Sequence, residues 1–135
     1  MYTERENKEK TEENTMKKIE LFEKAIREEA QSLKDYGING TLFWAYRESI
    51  QAENEKIDFS DVIWEKDIKE IAEFLKANEI EEFTISSTFS GLITTLAEFE
   101  KHGFKIAGLT EVNARYTDWQ TGKRAIIPAL RMISI

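Results

Sequence analysis

The stretch EFTISSTFSGLITTLAEFEKHGFKIAGLTEV, residues 82–112, decides the fold. Residues 82–87 alternate apolar and polar side chains around a β-branched threonine, which predicts a strand. Residues 89–102 then carry apolar side chains at helical spacing, and Gly103 ends the run. A second strand follows, and Gly108 within it is typical of a β-bulge. Because two strands joined by a helix usually run parallel, this unit predicts a right-handed crossover.

The rest of the chain after residue 112 predicts an antiparallel hairpin. Turn-forming residues at 118–122 separate the second strand from a last strand at 125–135. Pro128 in that last strand indicates an edge strand or a bulge, because proline cannot donate to a ladder. An edge around residues 127–130 would be open to a second copy of the chain, so a homo-oligomer remains an alternative.

The region before residue 82 predicts three helices, because its apolar residues recur at spacings of three and four. Asn39 lies where the second helix would be capped, and the polar residues 53–61 predict a loop. The predicted helices span residues 16–36, 41–54 and 61–78.

Residues 1–15, MYTERENKEKTEENT, are almost without apolar side chains and predict a charged, disordered or frayed tail. The sequence therefore predicts one α/β domain of the α+β type over residues 16–135. It has three N-terminal helices followed by β-α-β-β, and a small three-stranded mixed sheet covered by helices.

Composition narrows the function. The chain has 135 residues, a net charge of −7, one histidine and no cysteine, so thiolate chemistry, disulfides and multi-histidine metal sites are excluded. Residues 41–82 contain twelve acidic and five basic side chains, and this charge disfavours direct binding of nucleic acid. With no signal peptide and no long apolar run, we expect a cytoplasmic protein without a membrane partner.

The turn after the first predicted strand is a weak candidate for an anion site. Ser87, Thr88 and Ser90 precede a helix, where hydroxyls and free amides can hold a phosphate or carboxylate. The alternative is that these hydroxyls simply cap the helix. A serine nucleophile would need His102, which lies roughly 20 Å away at the other end of the helix. We therefore predict no catalytic residues, no metal and no cofactor.

Two aromatic segments are candidate binding surfaces. Trp44 and Arg47 share one face of the second helix, which is the composition found at binding hot spots. The alternative is that Trp44 packs on a neighbouring element while Arg47 extends into solvent. The second segment is the hairpin tip, which could contact a partner or instead clamp its own turn; its candidate residues are Arg115, Tyr116, Trp119 and Gln120.

Three phrases carry a resemblance: LFWAYRESI at 42–50, EFTISSTFSGLI at 82–93 and GLTEVNARYTDWQTG at 108–122. Together they resemble an uncharacterised family of small proteins from plasmids and conjugative elements of Gram-positive gut bacteria. The resemblance covers residues from about 16 to the C-terminus. It implies a bacterial cytoplasmic setting and an accessory role on mobile DNA, and it supplies no catalytic residues.

Three functions follow as hypotheses. The first is a non-catalytic module that binds a protein partner through the aromatic hairpin tip. The second is an acidic inhibitor of a host nuclease or restriction system, in which the carboxylates of residues 48–82 stand where phosphates would bind. The third is a small-molecule or anion-binding domain at residues 87–91, assisted by Arg115 or Arg131, because ligands favour the carboxyl ends of strands.

Overall fold

The computed structural model describes residues 19–29 and 32–135, so the predicted tail at 1–15 lies outside the described residues. Within the described residues, four α-helices and a four-stranded mixed sheet confirm the α+β class. The helices are α1 (Glu20–Arg27), α2 (Gly40–Gln51), α3 (Ile68–Ala77) and α4 (Leu92–Lys101). The strands are β1 (Asp58–Phe59), β2 (Glu82–Ile85), β3 (Phe104–Thr117) and β4 (Arg124–Ser134).

The N-terminal region departs from the prediction of one helix over residues 16–36. α1 ends at Arg27, and Glu29 takes a left-handed conformation with φ of 50°, which cannot continue a helix. Leu33–Tyr36 forms a separate 3-10 turn, and its apolar side chains pack against the same core. The apolar spacing therefore identified the buried face correctly but not the end of the helix.

The sheet has the strand order β1-β2-β4-β3. β1 and β2 are parallel, and β4 pairs antiparallel with both β2 and β3. β2 and β3 therefore run in the same direction, as predicted, but β4 is inserted between them. The prediction of three strands was wrong because Asp58–Phe59 lies in the segment 53–61, which was predicted as a loop. Two residues are too few for an alternating pattern to be visible.

The last strand is not the edge strand that Pro128 suggested, because β4 lies inside the sheet and β3 forms the outer edge. Pro128 stands opposite Glu111 of β3. Asn113, two residues further along β3, directs its backbone N–H and C=O away from β4 and towards Asn54. Because this direction repeats at every second residue of a strand, Glu111 also directs its backbone groups away from β4. The pair at Pro128 thus exchanges no ladder bonds. β4 also pairs with β2, but only through residues 130–133. The missing N–H of Pro128 therefore leaves no ladder hydrogen bond unmade.

The core lies between the helices and one face of the sheet. At its centre, Phe83 of β2 is fully buried, with its ring centroid 5.0–5.4 Å from three others: Phe59, Phe99 and Phe104. Phe22 of α1 is also fully buried, at 5.0–5.5 Å from a second set: Phe43, Tyr46 and Phe74. Both ring clusters belong to one continuous apolar core, which joins α1 to the rest of the fold.

The β3–β4 hairpin curls back towards the opposite edge of the sheet. β3 shifts register at Gly108, where φ is 126°, so the predicted bulge is confirmed at a conformation that favours glycine. Further along, the Asn54 side chain donates to the Asn113 carbonyl at 3.0 Å and accepts from its N–H at 2.8 Å. Because Asn54 lies shortly before β1, at the far edge of the sheet, this amide pair closes the curled sheet.

α4 begins at Leu92, later than predicted. Its N-cap residue is Gly91, and no side chain caps the helix. Assigning a capping role to Ser87, Thr88 and Ser90 was therefore wrong. The other end agrees with the sequence, since Gly103 takes a φ of 91° directly after the helix.

Candidate functional site

Two tryptophans from different elements line one groove. Trp44 projects from α2, and Trp64 precedes the 3-10 turn Glu65–Asp67; their exposed fractions are 50% and 60%. The groove has a volume of about 460 Å³. We call it the tryptophan groove, and its other lining residues are Gly40, Thr41, Ala45, Glu48, Phe59, Ser60, Asp61 and Val62.

The position of Trp44 follows from how α2 begins. The Asn39 side chain accepts the Leu42 N–H at 3.0 Å and caps the helix, as the sequence predicted. From that start, Leu42 turns into the core and Trp44 turns out of it. The guanidinium of Arg47 lies 5.6 Å from the Trp44 ring centroid, within range of a cation–π contact. Half of the Trp44 side chain is therefore packed and half is exposed, so the alternative of a packed Trp44 holds only in part.

Two carboxylates, Glu48 and Asp61, line the tryptophan groove, and none of its lining residues is a lysine or arginine. Asp61 accepts the N–H of the neighbouring Val62 at 2.7 Å. Thr41 donates its hydroxyl to Asp67, just outside the groove, at 3.2 Å. These bonds hold the polar rim around the two indole rings and leave carboxylate oxygens facing solvent.

Arg115 ties the hairpin to α2. Its Nη1 and Nη2 atoms each lie 2.8 Å from one carboxylate oxygen of Glu48, and its Nε donates to Ser60 at 2.7 Å. Such a bidentate pair fixes geometry as well as charge. Arg115, predicted from sequence as a binding residue, is therefore engaged within the molecule. Through Glu48 it brings the hairpin beside the helix that carries Trp44.

A second cavity opens at the carboxyl ends of the parallel strands β1 and β2, under the curled hairpin. Its volume is about 210 Å³. We call it the strand-end pocket, and its lining residues are Glu48, Ser49, Ala52, Asn54, Asp58, Ser60, Ser86, Asn113, Ala114, Arg115, Tyr116 and Ile127. Glu48 and Ser60 also line the tryptophan groove, so the two depressions are neighbours on one surface.

Trp119 and Gln120, at the turn of the hairpin, line neither depression. Trp119 is 88% exposed and Tyr116 61%. Asp118 accepts the Gln120 N–H at 2.7 Å and shapes the turn. The structure thus places Tyr116 at the rim of the strand-end pocket, while Trp119 and Gln120 extend into solvent. With so much of both rings exposed, the alternative that Tyr116 and Trp119 clamp their own turn is not favoured.

The acidic stretch is partly neutralised within the fold. Glu82 receives hydrogen bonds from both Lys56 and Arg131. Burial alone would raise the pKa of Glu82, but the hydrogen bonds and positive charges of these two partners outweigh it and hold the pKa below its ordinary value. Arg131, which the sequence suggested as an assistant at the anion site, is therefore paired with a carboxylate.

Sequence reasoning missed two residues of this surface. Trp64 lay within the predicted helix 61–78 and was not selected as a binding residue. Asp58 lay within the predicted loop 53–61, but it is only 4% exposed. Its burial had no sequence signal, because it depends on β1 pairing with β2. Among the described residues no group of three or more acidic or histidine side chains is placed to hold a metal ion.

A family model described as a domain of unknown function, DUF7698, matches residues 41–134. The chain belongs to this family. The DUF7698 match begins inside α2 and includes the tryptophan groove, the strand-end pocket and the hairpin, but not α1. It agrees with the uncharacterised family expected from the sequence. A comparison with curated proteins gives no match, and neither does one with solved structures. In the described part of the chain, no helix has the length and apolar character needed to cross a bilayer.

Proposed function

We propose that the protein is a non-catalytic module that binds a protein partner, and that the tryptophan groove is the centre of the interface. One observation carries this proposal: all three tryptophans of the chain are at least half exposed, and two of them line the same groove. Tryptophan is enriched at the energetic centres of protein interfaces.

The fold leaves much of the apolar surface of the two groove tryptophans in water. A tryptophan side chain buries on the order of 150–250 Å² when it is covered. Trp44 and Trp64 keep half or more of that surface exposed, whereas the phenylalanines at the core are fully buried. A partner that covers both indole rings would gain free energy that folding has not used. Tyr116 follows Arg115, which pairs with Glu48 of the groove, so its exposed ring adds to the same surface.

The acidic-inhibitor alternative has less support. It requires carboxylates of residues 48–82 to be free to replace phosphates. Glu48 is paired with Arg115, Glu82 is paired with Lys56, and Asp58 is buried. Most of the remaining carboxylates of the stretch are exposed, and Asp61 and Asp67 accept hydrogen bonds within the fold. We therefore favour an interface built on aromatic contacts.

The setting is a proposal of the same kind. The resemblance carried by residues 42–50, 82–93 and 108–122 supports a bacterial, cytoplasmic accessory protein of a mobile element. In that setting the partner would be a protein of the element or of its host.

The test is capture of a partner by variants of the groove. The double variant Trp44→Ala/Trp64→Ala should lose a stoichiometric partner that the wild-type chain captures from lysate of the source organism. The free energy of unfolding should change by no more than about 1 kcal/mol, because both rings are largely exposed. The matched control is Ile93→Ala, an 82% exposed apolar residue that does not line the groove. Equal capture by the wild-type chain and the double variant would contradict the proposal.

A further inference from the structure

We propose that the strand-end pocket binds a small organic cation, an ammonium or guanidinium compound, with the carboxylate of Asp58 as its counter-ion. This inference does not depend on a protein partner. It differs from the anion site predicted at residues 87–91, because none of those residues lines the pocket and the carboxylate of Asp58 does.

The buried environment of Asp58 supports a cationic ligand. Its side chain is 4% exposed, and its two oxygens accept hydrogen bonds from Thr84 and Ser86, both at 2.6 Å. Among the described residues, no lysine, arginine or histidine forms an ion pair with it. Buried carboxylates are usually paired with a cation. A cation entering the pocket would supply that missing charge.

The hydrogen bonds of Ser86 also favour a ligand that donates. Ser86 uses its proton to donate to Asp58, so it can offer only lone pairs to a ligand. Ser49 is engaged within the fold, because it donates to the Ala45 carbonyl at 2.7 Å and accepts the Asp58 N–H at 2.8 Å. Asp58 and Ser86 therefore present acceptors at the strand ends, which fits a ligand with N–H donors.

The charge and size of the strand-end pocket also favour a small cation. Arg115 lines the pocket, but its guanidinium is held by Glu48, so one negative charge, that of Asp58, remains unmatched there. The exposed ring of Tyr116 at the rim adds a surface for a cation–π contact. A volume of about 210 Å³ suits a ligand of a few heavy atoms. An inorganic anion would instead meet the Asp58 carboxylate.

The experiment is an NMR titration of the full chain with methylguanidinium and with butylammonium, up to about 10 mM, a concentration that saturates a site with a Kd near 1 mM. Urea serves as the neutral analogue of guanidinium, and inorganic phosphate as the anion. We expect saturable shifts of the backbone amides of Asp58, Ser86 and Asn113 with at least one cation, and none with urea or phosphate. Shifts that are absent with both cations, or equal with urea, would overturn the proposal.

Variants identify the counter-ion. Asp58→Asn should weaken binding of the cation by about ten- to a hundredfold, because it removes the charge from a hydrogen-bonded contact. Tyr116→Ala should weaken it by about two- to fivefold, and Trp119→Ala, which lies outside the pocket, should leave it unchanged. If Asp58→Asn does not fold, equal affinity in the Tyr116→Ala and Trp119→Ala variants would overturn the proposal. Loss of partner capture with retained cation binding would separate this inference from the proposed function.

Discussion

Replacement of Phe83 by alanine should lower the free energy of unfolding by about 3–5 kcal/mol. Phe83 is fully buried and contacts the rings of Phe59, Phe99 and Phe104. Its removal leaves a cavity between β2, α4 and the start of β3, which the buried Met132 opposite it on β4 can fill only in part. A domain of this kind is stable by only about 5–15 kcal/mol, so the variant should be close to unfolding at 37 °C.

Urea denaturation followed by circular dichroism measures this loss. Ile93→Ala is the matched control, because Ile93 is apolar and 82% exposed, and its loss should stay within about 0.5 kcal/mol. A loss below about 1.5 kcal/mol for Phe83→Ala would mean that the four rings do not form the centre of the core.

Replacement of Phe22 by alanine should also cost about 3–5 kcal/mol, although this residue lies before the segment that matches the family model. Phe22 is fully buried, and its ring is stacked on Phe74 at 5.0 Å and lies edge-on to Phe43 and Tyr46. Without it, α1 loses its ring contacts with α2 and α3, and the sides of those two helices that face α1 become exposed to water.

The same denaturation experiment tests the role of α1, with Glu20→Ala as its control. Glu20 lies on the exposed side of α1, so its substitution should leave stability nearly unchanged. If Phe22→Ala were as stable as Glu20→Ala, α1 would not belong to the cooperative unit, and the folded unit would coincide with residues 41–134.

The elements with strong local patterns were predictable. Residues 82–112 alternate first with a period of two and then with helical spacing, and they form β2, α4 and most of β3. Gly108 interrupted an apolar strand and marked a true bulge. Asn39 marked a true cap. In each case the physical cause acts within a few residues, so the sequence alone contains it.

The missed features depend on contacts between distant parts of the chain. β1 has two residues and exists only because it pairs with β2. Pro128 suggested an edge strand, but β3 occupies that edge, and β2 simply ends before it reaches the proline. Helix spacing in residues 16–36 showed a buried face, whereas the break at Glu29 is a local backbone conformation that the spacing does not reveal.

The candidate site was partly predictable for the same reason. Trp44 was selected because it shares a helix face with Arg47, and Tyr116 because it lies in the aromatic hairpin tip; both are exposed. Their relation was not predictable, because it depends on Arg115 reaching Glu48 across 67 positions of the chain. Trp64 completes the groove from a third segment that had been considered only as part of a helix.

Site-specific photo-cross-linking at the tryptophan groove would show whether a partner covers it. A photoreactive phenylalanine analogue would replace Trp64 in one sample and Ile93 in another, and each protein would be irradiated in lysate of the source organism. We expect a discrete adduct with one partner from position 64 and none from position 93, although Ile93 is the more exposed side chain. An adduct from position 93 but not from 64, or no adduct from either, would contradict it.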